Sequence, residues 1–327
     1  MRAIGYKSFG AASDVLETVE LPDPVAGHGE VVVDLVYSGV NPSDVKSRAG
    51  RKGGPSVPEH DFVIPHSDGA GVISAVGEGV DPSRLGERVW IWNGQWKRAY
   101  GTMAQKIALP SAQAVYLPDH ISFEQGAALG IPGLTAAHCV MGGGDLAGKS
   151  VLVCGGAGAV GHIAVQLAKW ADAHVVATAS EKNRDKVKAA GADHVLEYMS
   201  PSLSHDILSR YPQGIDRAVE LEFGVNVDLL AEVMRPMGTI AAYGSALDLT
   251  PTLPFFQYLF KALTIDITLV YLLDIEARQA AIDVLHQASQ EGALTIAIDK
   301  IYEFEDCAQA HEDIQNGGRT GVSLIKI

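Results

Sequence analysis

The sequence predicts an α/β protein in which a doubly wound parallel sheet accompanies a smaller antiparallel β domain. Two observations predict it. Short Val- and Gly-rich runs such as "GEVVVDLVYSGV" and "DGAGVISAVG" fill the first part of the chain, and they are typical of a strongly bent antiparallel sheet. From Ser150 onward, strand-like and helix-like segments alternate, which is the pattern of βαβ units on a parallel sheet.

The order of these patterns predicts the domain limits. A chain of 327 residues suits about two domains. Because Ala and Leu at helical spacing replace strand alternation after Ile121, we expect the first domain at residues 1–123 and the parallel sheet at 124–271. The run "LTIDITLVYLL" is its predicted last strand. The tail, 272–327, has two strand-like runs without a sheet of their own, so it is predicted to return to the first domain.

Composition excludes several classes of protein. A formal net charge of −14 argues against nucleic acid as a partner. Cys139, Cys154 and Cys307 are too widely separated for a CxxC pair or a disulfide framework, which favours a reducing compartment. The sequence has neither a leader-like start nor a membrane-spanning apolar run. We therefore expect a cytoplasmic protein without a membrane partner.

A glycine motif follows the apolar run "VLVC" and precedes the helical pattern "HIAVQLAKWA". Its glycines permit a tight turn, close approach of backbone to a pyrophosphate, and close packing of helix on strand. Strand, turn, helix and second strand occur in the order of a Rossmann dinucleotide-binding domain. The residues predicted to bind the phosphates are Gly156, Gly158, Ala159, Val160 and Gly161.

The end of the second strand bears on the choice of cofactor. NAD sites carry a carboxylate there, which bonds the ribose 2′-hydroxyl. This strand, "HVVATA", ends instead at Ser180, with Lys182 and Arg184 just beyond. A hydroxyl and two cations suit a 2′-phosphate, so NADPH is the predicted cofactor. The alternative is that both cations are solvated charges at a helix start, and Glu181 beside them favours it.

The motifs "SGVNPSD", "SDGAGVISAVG", "GTMAQKIALP", "ALGIPGLTAAH" and "GGAGAVG" occur in an order that resembles the medium-chain dehydrogenase/reductase superfamily. Within it, the chain is most similar to the zeta-crystallin-like NADPH:quinone oxidoreductases. The resemblance implies a GroES-like catalytic domain built from both chain ends around an inserted Rossmann domain, with the active site in the cleft between them. It also implies a homodimer joined through edge strands, here "LTIDITLVYLL".

Zinc-dependent members of the superfamily carry a cysteine and a His-Glu pair as landmarks of the metal site. This sequence has Asn41 at the first place, and Ser67 followed by Asp68 at the second. The four-cysteine structural loop is also missing. His66 lies one position before the ligand place, and a lone histidine is more often structural. The sequence therefore predicts no metal.

Without zinc, a carbonyl loses its main polarising group, so the expected acceptors are already electron-poor. We predict a zinc-independent NADPH-dependent reductase that transfers hydride to a quinone or an α,β-unsaturated carbonyl. Two alternatives stay open: an enoyl-thioester reductase, and a non-catalytic NADPH-binding structural or RNA-associated protein. Strong acidity argues against the RNA version, and the complete glycine motif argues against a purely structural role.

Four residues are candidates for contact with the substrate. Asn41 is a donor that does not titrate, or it caps the turn before Pro42. Lys46 stands where many zeta-crystallin relatives have tyrosine, and it either stabilises charge on the substrate oxygen or is a solvated lysine. Trp90 and Trp92 share one strand face by period two, so they either stack on a flat substrate or belong to the core.

The resemblance implies further contacts with the cofactor. Thr135 and Tyr243, Gly244 and Ser245 match places near its phosphates and nicotinamide. The backbone from Leu269 to Tyr271 would lie beside the carboxamide. Tyr198 and Arg319 match positions near the adenine 2′-phosphate in some relatives.

Overall fold

A computed structural model describes residues 1–50 and 53–327. It consists of two compact units. The first, here called the split unit, combines Met1–Ile131 with Ile296–Ile327, and the second, the inserted unit, is Pro132–Thr295.

These limits lie later in the chain than those expected near residues 123 and 271. At the first boundary, the backbone N–H of Ile131 donates to the Asp68 carboxyl group at 2.9 Å, which ties the segment before it to the split unit. At the second, the helix Ile275–Gln290 packs against the helix Leu134–Met141, so both belong to the inserted unit.

The split unit is a bent, mainly antiparallel β structure. Its strands are β1 (Arg2–Gly5), β2 (Glu17–Glu20), β3 (Glu30–Val40), β4 (Asp68–Val76), β5 (Arg88–Ile91), β6 (Lys106–Pro110), β7 (Ala114–Tyr116), β14 (Ile298–Tyr302) and β15 (Val322–Lys326). Its helices are α1 (Ala12–Val15), α2 (Pro42–Ala49), α3 (Phe123–Gly126) and α11 (Cys307–Asn316). Short 3₁₀ turns at Pro82–Arg84, Ser111–Gln113 and Phe304–Asp306 connect them, and a π-helical turn, Leu129–Gly133, leads out of the unit.

The seven-stranded sheet of the split unit has the order β14-β15-β3-β4-β5-β7, with β6 also paired to β3. Strand β15 runs antiparallel to β3, with Leu324 opposite Gly39. This pairing places the last strands of the tail in the split unit, whereas residues 272–295 remain in the inserted unit. Alternate residues of β3, among them Val31 and Val33, pack with Ile73, Val89 and other aliphatic side chains of the sheet to form its core.

The inserted unit alternates strand and helix throughout. Its strands are β8 (Ser150–Val153), β9 (His174–Ala179), β10 (His194–Glu197), β11 (Ile215–Glu220), β12 (Met234–Ala242) and β13 (Thr264–Ile267). Its helices are α4 (Leu134–Met141), α5 (Ala159–Trp170), α6 (Arg184–Ala189), α7 (Leu203–Arg210), α8 (Phe223–Val233), α9 (Phe255–Lys261) and α10 (Ile275–Gln290), with 3₁₀ turns at Glu181–Asn183 and Val270–Leu272.

Its six strands are all parallel and have the order β10-β9-β8-β11-β12-β13, the doubly wound Rossmann order. All four residues of the central strand β8 are buried, as expected where helices cover both faces of a sheet. The order of the strands reverses between β8 and β11: β9 and β10 follow on one side of β8, and β11, β12 and β13 on the other. Folds of this type bind ligands at the carboxyl ends of the two strands that flank the reversal.

The last parallel strand is shorter than predicted. It ends at Ile267, and Thr268 N–H still donates to Ala242 O at 2.9 Å. Strand β12 also ends at Ala242, so nothing remains to pair with, and the backbone turns into the 3₁₀ segment Val270–Leu272. Among the described residues, the structure has no helix with the length and apolar character of a membrane span. The expected cytoplasmic location stays a prediction.

Candidate functional site

The glycine turn after β8 is closely packed at Gly156 and Gly161. Gly155 has φ +70°, in the left-handed region that favours glycine. A Cβ atom on Gly161 would lie 2.2 Å from Gly155 O, and one on Gly156 would lie 2.9 Å from the Val187 side chain. Gly158 differs, because its nearest neighbour would be Gly155 O at 3.4 Å. Gly156 and Gly161 therefore permit packing, whereas Gly158 keeps the outer surface of the turn open.

Helix α5 begins directly after this turn, with Gly158 as its N-cap residue. The first helical hydrogen bond runs from His162 N–H to Gly158 O at 2.9 Å. The N–H groups of Ala159, Val160 and Gly161 precede it, so they have no acceptor within the helix, and glycine offers no capping side chain. Three such donors at the positive end of a helix dipole form an arrangement that binds a phosphate group.

The end of β9 carries the residues predicted to select the cofactor. Ser180 follows the strand, and its Oγ accepts a hydrogen bond from Asn183 Nδ2 at 3.1 Å. Register pairs Ala179 with Glu197, so Ser180 and the exposed Tyr198 follow neighbouring strand ends. Lys182 is exposed. These three residues lie where a 2′-phosphate site is expected.

Arg184 is already engaged. Its Nε and Nη2 donate to Glu181 Oε2 at 3.0 and 2.7 Å, and its Nη1 donates to Val195 O at 2.8 Å. The hydrogen bond from Arg184 lowers the pKa of the Glu181 carboxyl group. A role for Arg184 in cofactor binding therefore requires that these contacts be exchanged.

The other predicted cofactor residues of the inserted unit, except Thr135, follow the ends of β12 and β13. Tyr243 N–H donates to Glu220 O at 3.0 Å, and a Cβ on Gly244 would lie 2.3 Å from Leu221 O. Ser245 Oγ accepts from the backbone N–H of Gly224 at 2.9 Å and donates to Asp248 O, so this hydroxyl connects its loop to the first turn of α8.

Leu269 caps the 3₁₀ turn that contains Tyr271. Thr135 is buried in the first turn of α4. Apart from Thr135, the predicted residues on this unit all lie beyond the carboxyl ends of parallel strands, at the edge where doubly wound folds bind ligands.

A buried polar cluster lies in the split unit around Asn41, the N-cap residue of α2. The backbone N–H of Asn41 donates to Asp44 Oδ2 at 2.8 Å, and its Nδ2 donates to Asp68 Oδ2 at 2.8 Å. Burial raises the pKa of Asp44 to about 7. Hydrogen bonds from Asn41 and the charge of Arg319 lower this pKa, but their effect is smaller than that of burial. Burial, and then the charge of Asp44, raise the pKa of Asp68 well above its ordinary range. The Asn41 side chain is thus held by a carboxyl group.

A chain of hydrogen bonds continues from this cluster. Thr102 Oγ1 donates to Asp68 O at 2.6 Å, and Ser38 Oγ lies 2.8 Å from Thr102 Oγ1 and 2.8 Å from His66 Nδ1. Thr102 has one hydroxyl hydrogen and the carbonyl takes it, so Ser38 donates to Thr102 and accepts from His66 Nδ1–H. His66 Nε2 therefore carries a lone pair.

That lone pair faces His311, whose Nε2 lies 2.8 Å away. Burial lowers the pKa of both imidazoles, that of His311 to about 3, so both rings are neutral near pH 7. His311 consequently donates from Nε2. We call Thr102, Ser38, His66 and His311 the polar relay.

The remaining predicted residues have mixed environments. Lys46 is exposed in the last turn of α2, which leaves its role a prediction. Arg319 lies in the split unit, where Nη1 donates to Val40 O at 3.4 Å, and its predicted contact with the cofactor is likewise untested.

The tryptophan interpretation needs correction. β5 ends at Ile91, so Trp92 lies beyond the strand and the period-two argument fails. Trp90 is 0% exposed and stands opposite Ala70 and Val115 in the sheet, so it is a core residue.

The residues at the landmark places of the family's catalytic zinc site do not fit a zinc ion. An amide stands in place of the thiolate, and its nitrogen is bonded to Asp68. Both Asp68 side-chain oxygens accept the Ile131 N–H at 2.9 Å. Zinc prefers thiolate and imidazole ligands, and Asn41, Ser67 and Asp68 supply neither.

Two family models match the chain: the alcohol dehydrogenase GroES-like domain over residues 27–119 and the zinc-binding dehydrogenase domain over residues 159–287. The first lies within the split unit and the second within the inserted unit. The chain belongs to the medium-chain dehydrogenase/reductase superfamily. Its fold agrees with this assignment, because a parallel sheet of Rossmann order is inserted into a GroES-like β unit.

Curated relatives within the superfamily include the human synaptic vesicle membrane protein VAT-1 homolog, 31% identical over 252 residues, which are 75% of this chain and 61% of the relative. The chain thus spans about three fifths of that protein's length. The chloroplast envelope quinone oxidoreductase homolog of Arabidopsis thaliana is 29% identical over 336 residues, covering 100% of this chain and 98% of the relative.

Similar solved structures include an NAD-dependent alcohol dehydrogenase, 27% identical with a TM-score of 0.87, and a mycobacterial protein complexed with NADPH, 25% identical with a TM-score of 0.86. Each alignment covers 100% of both chains.

Sequence reasoning missed the polar relay and treated Asp68 only as a departure from a zinc motif. No local motif joins Ser38, Thr102 and His311, which are far apart in sequence. One signal was available: Cys307 and His311 are four residues apart in a helical segment, so they share one helix face.

Proposed function

We propose that the protein is a zinc-independent, NADPH-dependent reductase that transfers hydride to a quinone or an α,β-unsaturated carbonyl. The observation that carries the proposal is the Asn41 amide, held by Asp68 at a landmark place of the family's metal site. Such a donor suits an acceptor that needs hydrogen bonding rather than Lewis-acid activation. The names of the Arabidopsis relative and of the mycobacterial complex with NADPH support the choice of substrate and cofactor.

In this proposal, different residues bind the cofactor and stabilise the charge on the substrate. When bound, the nicotinamide supplies the hydride. The N–H groups of Ala159, Val160 and Gly161 bind the pyrophosphate, and the closed packing at Gly161 keeps them aligned. The Asn41 amide hydrogen that is not bonded to Asp68 donates to the substrate oxygen, and the Lys46 ammonium stabilises the negative charge that develops there.

The test is a substrate screen with the purified protein. We expect NADPH oxidation with a quinone or a short enal and little with an enoyl thioester. Asn41→Ala should lower turnover by about 10²–10³, the range for loss of one oxyanion donor, and leave NADPH affinity unchanged. Oxidation of an alcohol with NAD⁺ as the only activity would reject the proposal. Tight NADPH binding without turnover on any substrate would favour the structural alternative.

We also propose a homodimer joined through β13. This strand is the edge of the six-stranded sheet, and Ile267 at its end is 80% exposed. An exposed apolar edge strand favours pairing with another chain. Light scattering should give a dimer for the wild-type protein and a larger monomer fraction for Ile267→Lys, and a wild-type monomer at micromolar concentration would reject the proposal.

A further inference from the structure

A cluster of three ligand-type side chains lies in the split unit, at the His66 end of the polar relay. Cys307 and His311 are one turn apart on α11, and His66 comes from the segment just before β4. All three side chains are buried, and one ligand atom from each lies within 4.8 Å of the other two. Two imidazoles and one sulfur are the donor types that zinc prefers.

The polar relay prepares His66 for a metal. Its Nδ1–H is committed to Ser38, so its Nε2 lone pair is directed into the cluster. Metal-binding histidines in proteins typically donate their other ring N–H in this way. The backbone of His66 has φ +77°, a conformation rare outside glycine, which the surrounding hydrogen bonds hold in place.

His311 supplies the second observation. Its Nδ1 is buried and has no hydrogen-bond partner among the described residues. The ring is neutral, and Nε2 already donates to His66, so Nδ1 bears an unpaired lone pair inside the protein. A buried acceptor without a donor is unusual, and a bound cation is one explanation for it.

We propose that His66, Cys307 and His311 bind one Zn²⁺ ion, with ligands other than those at the landmark places of the family's zinc site. One imidazole nitrogen from each histidine and the Cys307 sulfur are the ligands, and the fourth position is left for water. A tetrahedral ion with Zn–N distances of about 2.0–2.1 Å separates two ligand nitrogens by about 3.3 Å. His66 binds through Nε2 and His311 through Nδ1, so the ion supplies the partner that His311 Nδ1 lacks. The proposal departs from the expectation of no metal, which treated His66 as a lone histidine and did not place it beside Cys307 and His311.

The local charges decide how strongly the ion binds. The Cys307 thiol loses its proton to the solvent on binding, so one of the two positive charges of Zn²⁺ is compensated. The Arg48 guanidinium repels the remaining positive charge, whereas the Asp44 carboxylate attracts it. Both groups act electrostatically on Cys307. Arg48 is held by Gly10 O and, at 3.2 Å, by Gln315 Oε1.

The experiment uses the full chain, freed of metal by a chelator and titrated with Co²⁺ as a spectroscopic substitute. We expect a thiolate-to-cobalt charge-transfer band that saturates at one ion per chain and disappears when Zn²⁺ is added. Cys307→Ser should abolish the band. Cys139→Ser, which removes another buried thiol in the inserted unit, should retain it. No band in the wild-type protein, or a band that survives in Cys307→Ser, would overturn the proposal.

A second measurement does not depend on any variant. X-ray absorption at the zinc edge of the Zn²⁺-loaded wild-type protein should show one sulfur at about 2.3 Å and imidazole nitrogens at about 2.0–2.1 Å. A shell of oxygen and nitrogen alone would overturn the proposal even if Cys307→Ser fails to fold. Neither readout uses turnover, so the result is independent of the proposed reductase activity.

Discussion

The glycine turn of the inserted unit and the polar relay of the split unit are built in opposite ways. The turn is one continuous stretch, residues 155–161, whose function depends on backbone N–H groups and on the absence of side chains. The relay takes side chains from four segments distant in sequence and depends on the identity of each. A site formed by backbone groups can therefore be predicted from one short stretch of sequence. A site formed by side chains from distant segments exists only after folding.

The largest combined effect on stability and on cofactor binding is expected at Gly161. In Gly161→Ala, the new Cβ would lie 2.2 Å from Gly155 O, so the helix must move away from the turn. Overpacking of this kind costs about 1–3 kcal/mol of unfolding free energy. Loss of two aligned phosphate hydrogen bonds should weaken NADPH binding by roughly a hundredfold. Urea denaturation and fluorescence titration measure the two effects.

Gly158→Ala is the matched control for packing. Its Cβ would meet Gly155 O at 3.4 Å, an ordinary contact. The melting temperature should therefore barely change, while NADPH affinity falls because the methyl group lies on the open side of the turn. Equal loss of stability in both variants would contradict the division between packing and ligand approach.

The next effect is expected at Lys46, in the split unit. Lys46→Met keeps the apolar stem and removes the charge, so melting temperature and NADPH affinity should stay nearly constant. Turnover with an enone should fall by roughly ten- to a thousandfold, and that with a quinone should fall less. Lys188→Met, an exposed lysine in the last turn of α6, is the control. Enone reduction at the parent rate would make Lys46 a surface charge.

The buried cluster predicts a dependence of stability on pH. Burial raises the pKa of Asp44 from 3.8 to about 7, so the native state binds more protons than the unfolded state between these values. The contribution of Asp44 to stability therefore decreases as pH rises from about 4 to about 7.

Asp44→Asn should remove this loss, so the stability of the variant relative to wild type should rise by a few kcal/mol, at order of magnitude, over that interval. The buried histidines act in the opposite direction at low pH, which is why the difference between the two proteins is measured. Urea denaturation at several pH values gives this difference. Parallel stability curves would refute the assignment.

The smallest effect separates two cations within the inserted unit. Lys182→Ala should weaken NADPH binding by about 1–3 kcal/mol without changing NADH binding, since a charge-assisted contact with the 2′-phosphate is lost. Arg184→Ala should matter less, because its guanidinium already bonds Glu181 and Val195 O. Glu181→Gln should strengthen NADPH binding by releasing Arg184. Similar dissociation constants for NADPH and NADH in the wild-type protein would contradict this part of the proposal.

Much of the fold follows from local pattern. The alternation after Ser150 and the glycine motif correctly predicted a parallel sheet of Rossmann type, and the unpaired strands of the tail correctly predicted the return to the first domain. The argument that Trp90 and Trp92 share one strand face was wrong, because period two holds only while a strand continues, and β5 ends at Ile91. Pairing partners decide where a strand ends, and they are not visible in a single segment.

The sequence by itself determined the binding turn, because glycine spacing, strand and helix act within one short stretch through backbone geometry. It also determined that the family's zinc ligands are missing at Asn41 and Ser67. Tertiary structure alone decided that Arg184 donates to Val195 O, that Asp68 holds Asn41, and that His66 meets Cys307 and His311. The physical reason is that hydrogen bonds and metal ligation require contact within a few ångströms, and for residues far apart in the chain only the packing of the sheet and α11 creates that contact.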